Sequence, residues 1–474
     1  MTSSDSFPLL PLLLLLAQQL AGCSAQEPGL VLGASCPEGL QTCRHIGNDL
    51  FLDGVSLRGT SGVGLTIRDP PGSIHISNAS IAGFDTAIEV VGMTCGACAL
   101  SIRDSDLMGQ RYAVVVASSR ASIEIASSRL ATAGGGTLRH EARPVVVNGE
   151  TVTADSVTAL NGATALHLFE SRVKDLDLRE VSISAANRSV WSAIDIDPGS
   201  AGSTVDDFFL SGRMSGYRVA IVGDILHKTV EGLEASCWSR FFQGASLDEP
   251  ARLQAARSFV ATDLVVATCE EGGLSLSGDA EVALRGVRLS GGQSCLEVEL
   301  ARSLELRDFE FHDCGYGLKM PSEPVGQETA IIADGLVQRA GYTGLQVKFD
   351  HAVVTNVTFI GIGHAWPDPH PVNPNDGGME AYGALVWRPP GVPLPAVSLP
   401  TLDLHGCSFE QVVPNALSSR AQGVANATDN WWGAADGPGV VLHSGLIQDA
   451  PVPVGHGGNV TGFVRFLPFL SAPP

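Results

Sequence analysis

Large apolar residues recur along this chain at a fixed spacing, five positions apart and then about seven. The clearest sets are Ile76, Ile81, Ile88; Ile102, Leu107, Val114; Phe209, Met214, Ile221; Leu284, Leu289, Leu296; and Leu306, Phe311, Leu318. Looser copies begin at Leu178, Ile331 and Leu404. Within the two clearest runs, successive sets begin 22 to 27 residues apart. Periods of roughly 20 to 50 residues are typical of solenoids, propellers and arrays.

Each repeat contains short stretches in which apolar and polar residues alternate, as in Ser73–Ile76, Ala193–Ile196 and Cys295–Val298. This alternation predicts half-buried β-strands. Residues on one face of a strand lie an even number of positions apart. Steps of five and seven are odd, so a bend must separate the strands. We therefore predict an all-β fold, a right-handed parallel β-helix solenoid of about a dozen coils.

Other repeat architectures fit less well. A leucine-rich repeat would show a recurring LxxLxLxxN consensus and a helical phase, and the chain has neither. A propeller would need blades of about 40 residues or more. The composition of 54 glycines and 6% aromatic residues also suits many short strands and tight turns.

The first residues predict export. Phe7–Leu20 is an apolar run of the length expected for a signal peptide and too short for a confident membrane span. The segment before it carries Asp5 in place of the usual basic residues. Leu20-Ala21-Gly22-Cys23 then resembles the lipobox of bacterial-type lipoproteins, which predicts lipidation of Cys23. Cleavage after Ala25 is the alternative. Either reading predicts an extracellular or cell-surface location.

The net charge of −21 limits the partners. Nucleic-acid binding needs a basic footprint, so we expect no nucleic-acid partner. The same charge argues against docking onto anionic lipid, so membrane contact is expected through the lipid anchor only.

Ten cysteines accompany the export signal, and nine remain without Cys23. Export favours disulfides, although their connectivity cannot be deduced from sequence. Cys36 with Cys43 and Cys95 with Cys98 are close enough to pair. An odd number leaves at least one cysteine free or bonded to another molecule.

The C-terminal region carries the most specific motif. It reads NWWGAADGPG at 430–439 and ends GNVTGFVRFLPFLSAP at 458–473. These segments resemble the C-terminal signature of right-handed β-helix proteins of the pectate-lyase-like superfamily. There, an NWWG-x-x-x-GP element follows the last coils and a PWL-like tail closes the domain. The resemblance covers about residues 48–470. Together with the export signal, it predicts a signal peptide at 1–22, a tether and cap at 23–47, the β-helix at 48–430 and a C-terminal cap at 431–474.

The superfamily includes pectate lyases, polygalacturonases, alginate-modifying enzymes, phage tailspikes and noncatalytic surface proteins, and fold alone does not choose among them. Polygalacturonases would need an NTD, a DD, an HG and a RIK in order. The chain has no NTD and no RIK, while Asp206-Asp207 and His405-Gly406 stand without partners. Those hydrolases are therefore disfavoured.

In this superfamily substrates often lie across one sheet, contacting outward residues of successive coils. The corresponding outward residues of the third strand are Glu89, Val115, His167, Asp195, Val222, Ser275, Glu297, Lys319 and Gln346. His167 beside Asp195, with Asp197 one pleat along, could form an acid/base pair. Glu297 and Lys319 are also neighbours. A cross-strand charge pair on a solvated face explains each pairing equally well. We expect all four paired residues to face solvent along one sheet and to contact ligand.

A long insertion between Phe359 and Leu404 gives a second candidate site. Its ligand-binding candidates are His364, Trp366, Asp368 and His370. Their spacing is not diagnostic of a metal, and a solvated, proline-stiffened loop is the alternative. We assign no metal site and expect no cofactor, since calcium has no support in the sequence.

Two functions compete. One is a noncatalytic surface protein that binds an extended polysaccharide or another cell-envelope component. The other is a polysaccharide lyase, epimerase or hydrolase. A lyase needs a base and a group that neutralises the uronate carboxylate, and the third-strand residues include few basic side chains. We therefore expect a binding protein, with the enzyme as the alternative.

Overall fold

A computed structural model describes residues 29–33, 36–37, 40–93, 98–117, 122–132, 143–147, 151–155, 158–160, 166–168, 172–184, 192–196, 204–222, 225–243, 258–267, 273–277, 281–299, 301–320, 329–347, 349, 351–363, 382–386, 401–412, 415–419, 425–440, 455–462 and 464–474. These residues form β-strands and turns, without a helix. Within these ranges, therefore, no helix has the length and hydropathy needed to span a membrane.

The strands, numbered β1 to β38 in chain order, are Leu30–Leu32, Cys43–Ile46, Asp49–Asp53, Ser56–Arg58, Val63–Arg68, Ile74–Ser77, Ser80–Val91, Ala99–Arg103, Asp106–Ala117, Ser122–Ala126, Arg129–Thr132, Arg143–Val147, Thr151–Asp155, Thr158–Leu160, Leu166–Leu168, Arg172–Ser184, Ser192–Ile196, Thr204–Val222, Ile225–Gln243, Ser258–Thr262, Val265–Ala267, Leu274–Ser277, Glu281–Arg285, Arg288–Ser290, Ser294–Glu299, Ser303–His312, Tyr316–Lys319, Thr329–Gln338, Thr343–Val347, His351–Ile360, Tyr382–Val386, Thr401–His405, Ser408–Glu410, Asn415–Ser419, Ala425–Asn426, Pro438–Val440, Gly457–Gly462 and Val464–Arg465.

The strands stack into a parallel β-solenoid whose coils have three faces. Register partners on the first face are Leu50, Ile74, Leu100, Ile123, Val152, Leu176, Phe208, Lys228, Phe259, Val282, Leu304, Ala330, Ala352 and Leu402. On the second face they are Leu57, Ile81, Leu107, Leu130, Ala159, Ile183, Met214, Ala235, Val266, Leu289, Phe311, Val337, Phe359 and Phe409. The predicted all-β parallel coil is confirmed, and a dozen is an approximate coil count.

The third face has two stretches. The first joins Leu65, Ile88, Val114, Val145, Leu166, Ile194, Ile221 and Phe242. The second joins Leu274, Leu296, Leu318, Leu345, Ala384, Leu417 and Val460. Stacking repeats in this way buries one continuous apolar core between neighbouring coils.

A left-handed residue makes the bend between the first and second faces. It recurs in register with φ between 47° and 70° at Gly54, Asn78, Asp104, Ser127, Glu180, Gly232, Asp263, Gly286, Asp308, Asp334, Asn356, Gly406 and Asp429. Glycine, asparagine and aspartate tolerate this conformation best. This left-handed residue provides the bend that a spacing of five residues between two inward side chains requires.

The bend gives a direct stability prediction. We expect Asp104→Val to lower the free energy of unfolding by about 1–3 kcal/mol, because a β-branched side chain is strained at positive φ. Asp104 lies at φ 51°. Asp104→Asn should change stability little. Urea unfolding followed by circular dichroism measures both, and equal losses would contradict the account.

Three of the predicted anchors are wrong by one position, one of them being Leu336, the second anchor of the set that begins at Ile331, which is half-buried while Val337 is buried. Phe209 is half-buried with the Arg179 guanidinium 4.6 Å from its ring centroid, while Leu210 is buried in the core. Ile331 is 42% exposed, whereas Ile332 is 0% exposed. A slip of one residue moves a side chain to the opposite face of a strand. Next to Phe209, the register of β18 with β19 also shifts between Leu210 and Gly212.

The N-terminal end of the solenoid is closed by short strands. β1 pairs in parallel with β5, and β2 pairs antiparallel with β3. A disulfide joins Cys36 to Cys43, with 5.7 Å between their Cα atoms. These contacts cover the first coil, because Leu32 in β1 is fully buried.

A stack of aromatic rings closes the C-terminal end. Phe359 stacks on Phe409 with centroids 4.8 Å apart, and Phe409 stacks on Trp432 at 5.0 Å. Asn430 is fully buried; its side chain accepts from the Cys407 amide at 2.8 Å and donates to the Leu404 carbonyl at 2.7 Å. Trp432 therefore covers the end of the core, as an open solenoid end requires.

Candidate functional site

The outward residues of the third face follow the predicted order. His167 is the register partner of Asp195, and Glu297 is the partner of both Ser275 and Lys319. The pairing of His167 with Asp195 is one of backbone positions. The register adds two residues to the predicted series, because the repeat is weak in the central part of the sequence. They are Val146, between Val115 and His167, and Gln243, after Val222.

Two stretches of the third face carry these residues. His167 and Asp195 lie on β15 and β17 of the first stretch, and Glu297 and Lys319 lie on β25 and β27 of the second. Among the described strands, no ladder hydrogen bonds join β19, the last strand of the first stretch, to β22, the first strand of the second. That all four side chains face solvent along one sheet stays a prediction.

Several predicted site residues lie outside the described residues. They are Cys23, Asp197, His364, Trp366, Asp368 and His370. Their roles in lipidation, catalysis and ligand binding stay predictions.

Four side chains come together on three consecutive coils of the third face. The Lys319 ammonium lies 3.7 Å from the Glu297 carboxylate, and both side chains are 25% exposed. The same ammonium lies 5.8 Å from the Tyr316 ring centroid. Tyr316 packs against Tyr342 with centroids 5.3 Å apart and planes 39° apart. We call Glu297, Tyr316, Lys319 and Tyr342 the third-face patch.

Covalent and backbone contacts hold this patch in place. A disulfide joins Cys295, beside Glu297, to Cys314 on the next coil, with 5.6 Å between Cα atoms. The Gln346 side chain accepts a hydrogen bond from the Met320 amide at 3.2 Å, which ties the next coil to the end of β27. Sites held by such contacts lose little conformational entropy when a ligand binds.

Opposite charges face each other across neighbouring coils elsewhere too. Arg129 lies 3.2 Å from Asp106, and Arg213 lies 3.0 Å from Glu234. These side chains are 46–75% exposed, so each pair contributes about 0–1 kcal/mol. The Glu297–Lys319 pair differs because it is less exposed and its lysine contacts an aromatic ring.

Ionisation in the described residues follows these structural contacts. A hydrogen bond from Arg339 lowers the pKa of Asp313, and hydrogen bonds from Asn78 and Ser77 lower the pKa of Asp53. Hydrogen bonding by His456 lowers the pKa of Asp436. Each of these carboxyl groups is therefore held more firmly in its charged form.

Burial raises the pKa of two groups that are neutral when protonated. It raises the pKa of the Cys407 thiol to about 12, and it raises the pKa of Tyr217. Cys407 is the free cysteine among the described residues, and its neutral thiol is unreactive. Among those same residues, no group of three or more His, Cys, Asp or Glu is arranged to hold a metal ion.

Comparison with known proteins adds no relative. The chain matches no model of a protein family, no curated protein and no solved structure.

Sequence reasoning found the charged half of the third-face patch and missed the two tyrosines. A signal was present, because a Gly-Tyr pair precedes the inward leucine on two consecutive coils, as Gly315-Tyr316 before Leu318 and Gly341-Tyr342 before Leu345. The sequence was searched for inward apolar residues and outward charges, and tyrosines at the start of a strand belong to neither group. The Cys295–Cys314 disulfide was likewise not predicted.

Proposed function

We propose that this protein is a noncatalytic surface protein that binds an extended polysaccharide across the third face of its solenoid. The observation that carries the proposal is the contact of Lys319 with both Glu297 and Tyr316, beside Tyr342. Sugar rings present apolar C–H faces and hydroxyl edges. A half-buried tyrosine pair can pack against the apolar C–H face of a sugar ring. A lysine–glutamate pair can donate hydrogen bonds to its hydroxyls and accept hydrogen bonds from them.

The stacking of the coils supports an extended ligand. Neighbouring coils lie ~4.8 Å apart, the spacing of hydrogen-bonded strands. That distance is close to the length of one hexose unit, so successive sugars would meet successive coils. The patch spans three such coils, and the disulfide between Cys295 and Cys314 fixes two of them.

Binding is favoured over catalysis by the charges of the patch. The Lys319 ammonium and the Glu297 carboxylate lie 3.7 Å apart on neighbouring coils. A cross-strand charge pair on a sheet face accounts for this contact without a reaction. The alternative remains a lyase, epimerase or hydrolase, and its strongest support is the backbone pairing of His167 with Asp195.

A binding screen with product analysis tests the proposal. Purified protein is incubated with uronate-containing and neutral polysaccharides, and retention, unsaturated ends and reducing sugars are measured. We expect retention of at least one polysaccharide without either product. New unsaturated ends or reducing sugars would instead assign an enzyme.

The matched variants are Tyr342→Ala and Phe209→Ala. We expect Tyr342→Ala to weaken binding of the retained polysaccharide roughly tenfold, a loss of ~1.4 kcal/mol. Phe209 is a comparable half-buried aromatic residue beside an arginine on the first face. Its replacement should leave binding unchanged, and an equal loss in both variants would contradict the assignment to the third face.

We also propose that the chain belongs to the pectate-lyase-like β-helix proteins and is exported with an acylated Cys23. The NWWG element and the disulfides support this, because disulfides persist in oxidising compartments. Mass spectrometry of the mature protein should show a lipid-modified Cys23 as the first residue. A mature chain that starts at Gln26 would reject the anchor and keep the export.

A further inference from the structure

A concave groove of about 650 Å³ crosses the bend between the first and second faces. Its charged lining residues are Asp263, Arg285, Arg288, Asp308, Glu310 and Asp334. We call this surface the bend groove. Asp263, Asp308 and Asp334 occupy the left-handed position of their coils, with φ of 52°, 50° and 56°. The groove therefore runs along the stack, on a different side of the solenoid from the third-face patch.

The charges of the bend groove are only partly balanced within it. Arg285 lies 3.4 Å from Asp308, and Arg288 lies 3.5 Å from Glu310. Four carboxylates and two arginines line the groove, so its lining carries a net charge of −2. Asp263 and Asp334 lie at opposite ends of the two ion pairs, and Arg307, outside the lining, also attracts Asp334 and Asp308 electrostatically. An anionic ligand would therefore be repelled, and a cationic one attracted.

Local packing fixes both of these carboxylates. Asp334 accepts a hydrogen bond from the Asn356 side chain at 3.0 Å. A Cβ added at Gly286, which has φ +64°, would lie 2.4 Å from the Asp263 carboxylate oxygen. The Asp263 carboxylate thus lies against the backbone of the next coil, in space that only glycine leaves open. Both acids are held at the groove surface rather than spread into solvent.

The middle of the groove offers hydrogen bonds of both kinds. Arg285 and Arg288 present guanidinium donors, and Asp308 and Glu310 present acceptors. An aliphatic polyamine has ammonium donors for the carboxylates but no acceptor for the two guanidinium groups. A sugar chain uses hydroxyls as donors and acceptors along its whole length. The groove thus favours a ligand with ammonium groups on a hydroxyl-rich backbone.

We propose that the bend groove binds an oligosaccharide that carries free amino groups. Ammonium groups of the sugars pair with Asp263 and Asp334, and hydroxyls bond to the arginine–carboxylate pairs between them. Asp263 and Asp334 lie three coil steps apart, on the order of 14 Å at ~4.8 Å a step, which a tetrasaccharide spans. The site acts independently of the third-face patch and does not rest on the function proposed for it.

Calorimetric titration of the full-length protein tests this with a β-1,4-linked glucosamine tetramer and its fully N-acetylated counterpart. We expect the free-amine tetramer to bind at least tenfold more tightly, because acetylation removes the charge and keeps the sugar chain. Equal affinity for the two tetramers, or no binding of either, would overturn the proposal. Spermine is the third probe, and spermine binding as tight as that of the tetramer would overturn the sugar assignment.

Isosteric variants locate the site. Asp263→Asn and Asp334→Asn keep the left-handed position occupied by a residue that tolerates it, as Asn356 already does in the same register. Each should weaken binding of the free-amine tetramer about tenfold while leaving the unfolding midpoint unchanged. Asp104→Asn makes the same change at the equivalent position of a coil outside the groove and should have no effect. An equal loss in Asp104→Asn would show general attraction to an acidic protein and contradict the site.

Lys319→Ala separates this site from the third-face patch. It should leave binding of the tetramer unchanged, because Lys319 lies on another face. Loss of tetramer binding in Lys319→Ala would move the ligand to the third face and overturn the groove assignment.

Discussion

Replacing Trp432 with alanine is expected to lower the free energy of unfolding by about 3–5 kcal/mol. The indole is 0% exposed and stacks on Phe409 with planes 5° apart. Phe409 in turn stacks on Phe359. Removing the indole loses the free energy gained by burying it and adds the cost of a cavity at the last coil. Urea unfolding followed by circular dichroism measures the change.

Trp431→Ala is the matched control for the cap. Trp431 is the next residue in the chain and is half-exposed, so its replacement should cost no more than about 1 kcal/mol. A loss as large as that of Trp432→Ala would show that burial of the indole is not what stabilises this end.

The second large effect is expected at Ile332. Ile332→Ala should lower the free energy of unfolding by about 2–5 kcal/mol, because the side chain is 0% exposed and lies between Leu306 and Val354 in register. Deleting it leaves a cavity that neighbouring coils cannot fill, since close-packed interiors relax only partly. The same urea unfolding experiment reports the loss.

The adjacent isoleucine provides the control. Ile331 is 42% exposed, and Ile331→Ala should change stability by no more than about 0.5 kcal/mol. Both variants make the same chemical change one position apart in the same strand. The reverse order of effects would show that the strand is in the opposite register.

This pair of isoleucines also shows where sequence reasoning stops. The spacing of five and seven correctly predicted short parallel strands with a bend, because odd steps cannot fit a straight strand. It could not choose between two apolar neighbours, as at Ile331 and Ile332 or at Phe209 and Leu210. Only the stacking of coils decides which of the two points inward, and one of each pair is left outside.

The candidate sites were predicted less completely than the fold. Alternation placed Glu297 beside Lys319, because outward residues of successive coils follow the repeat. Other features depend on which residues meet between coils, and the spacing of the repeat does not predict this. They are the packing of Tyr316 on Tyr342, the Cys295–Cys314 disulfide and the balance of charges across the bend. The ligand-binding candidates between Phe359 and Leu404 lie outside the described residues and stay predictions.

A length series of oligosaccharides tests whether the third-face patch binds an extended chain without cutting it. The polysaccharide retained in the binding screen is cut into a series from one to eight units, and each length is titrated calorimetrically into the wild-type protein. We expect affinity to rise with length until the ligand spans the three coils of the third-face patch, and every oligosaccharide to be recovered intact. Equal affinity for the single sugar and the longer chains, or shortening of the chains, would contradict this expectation.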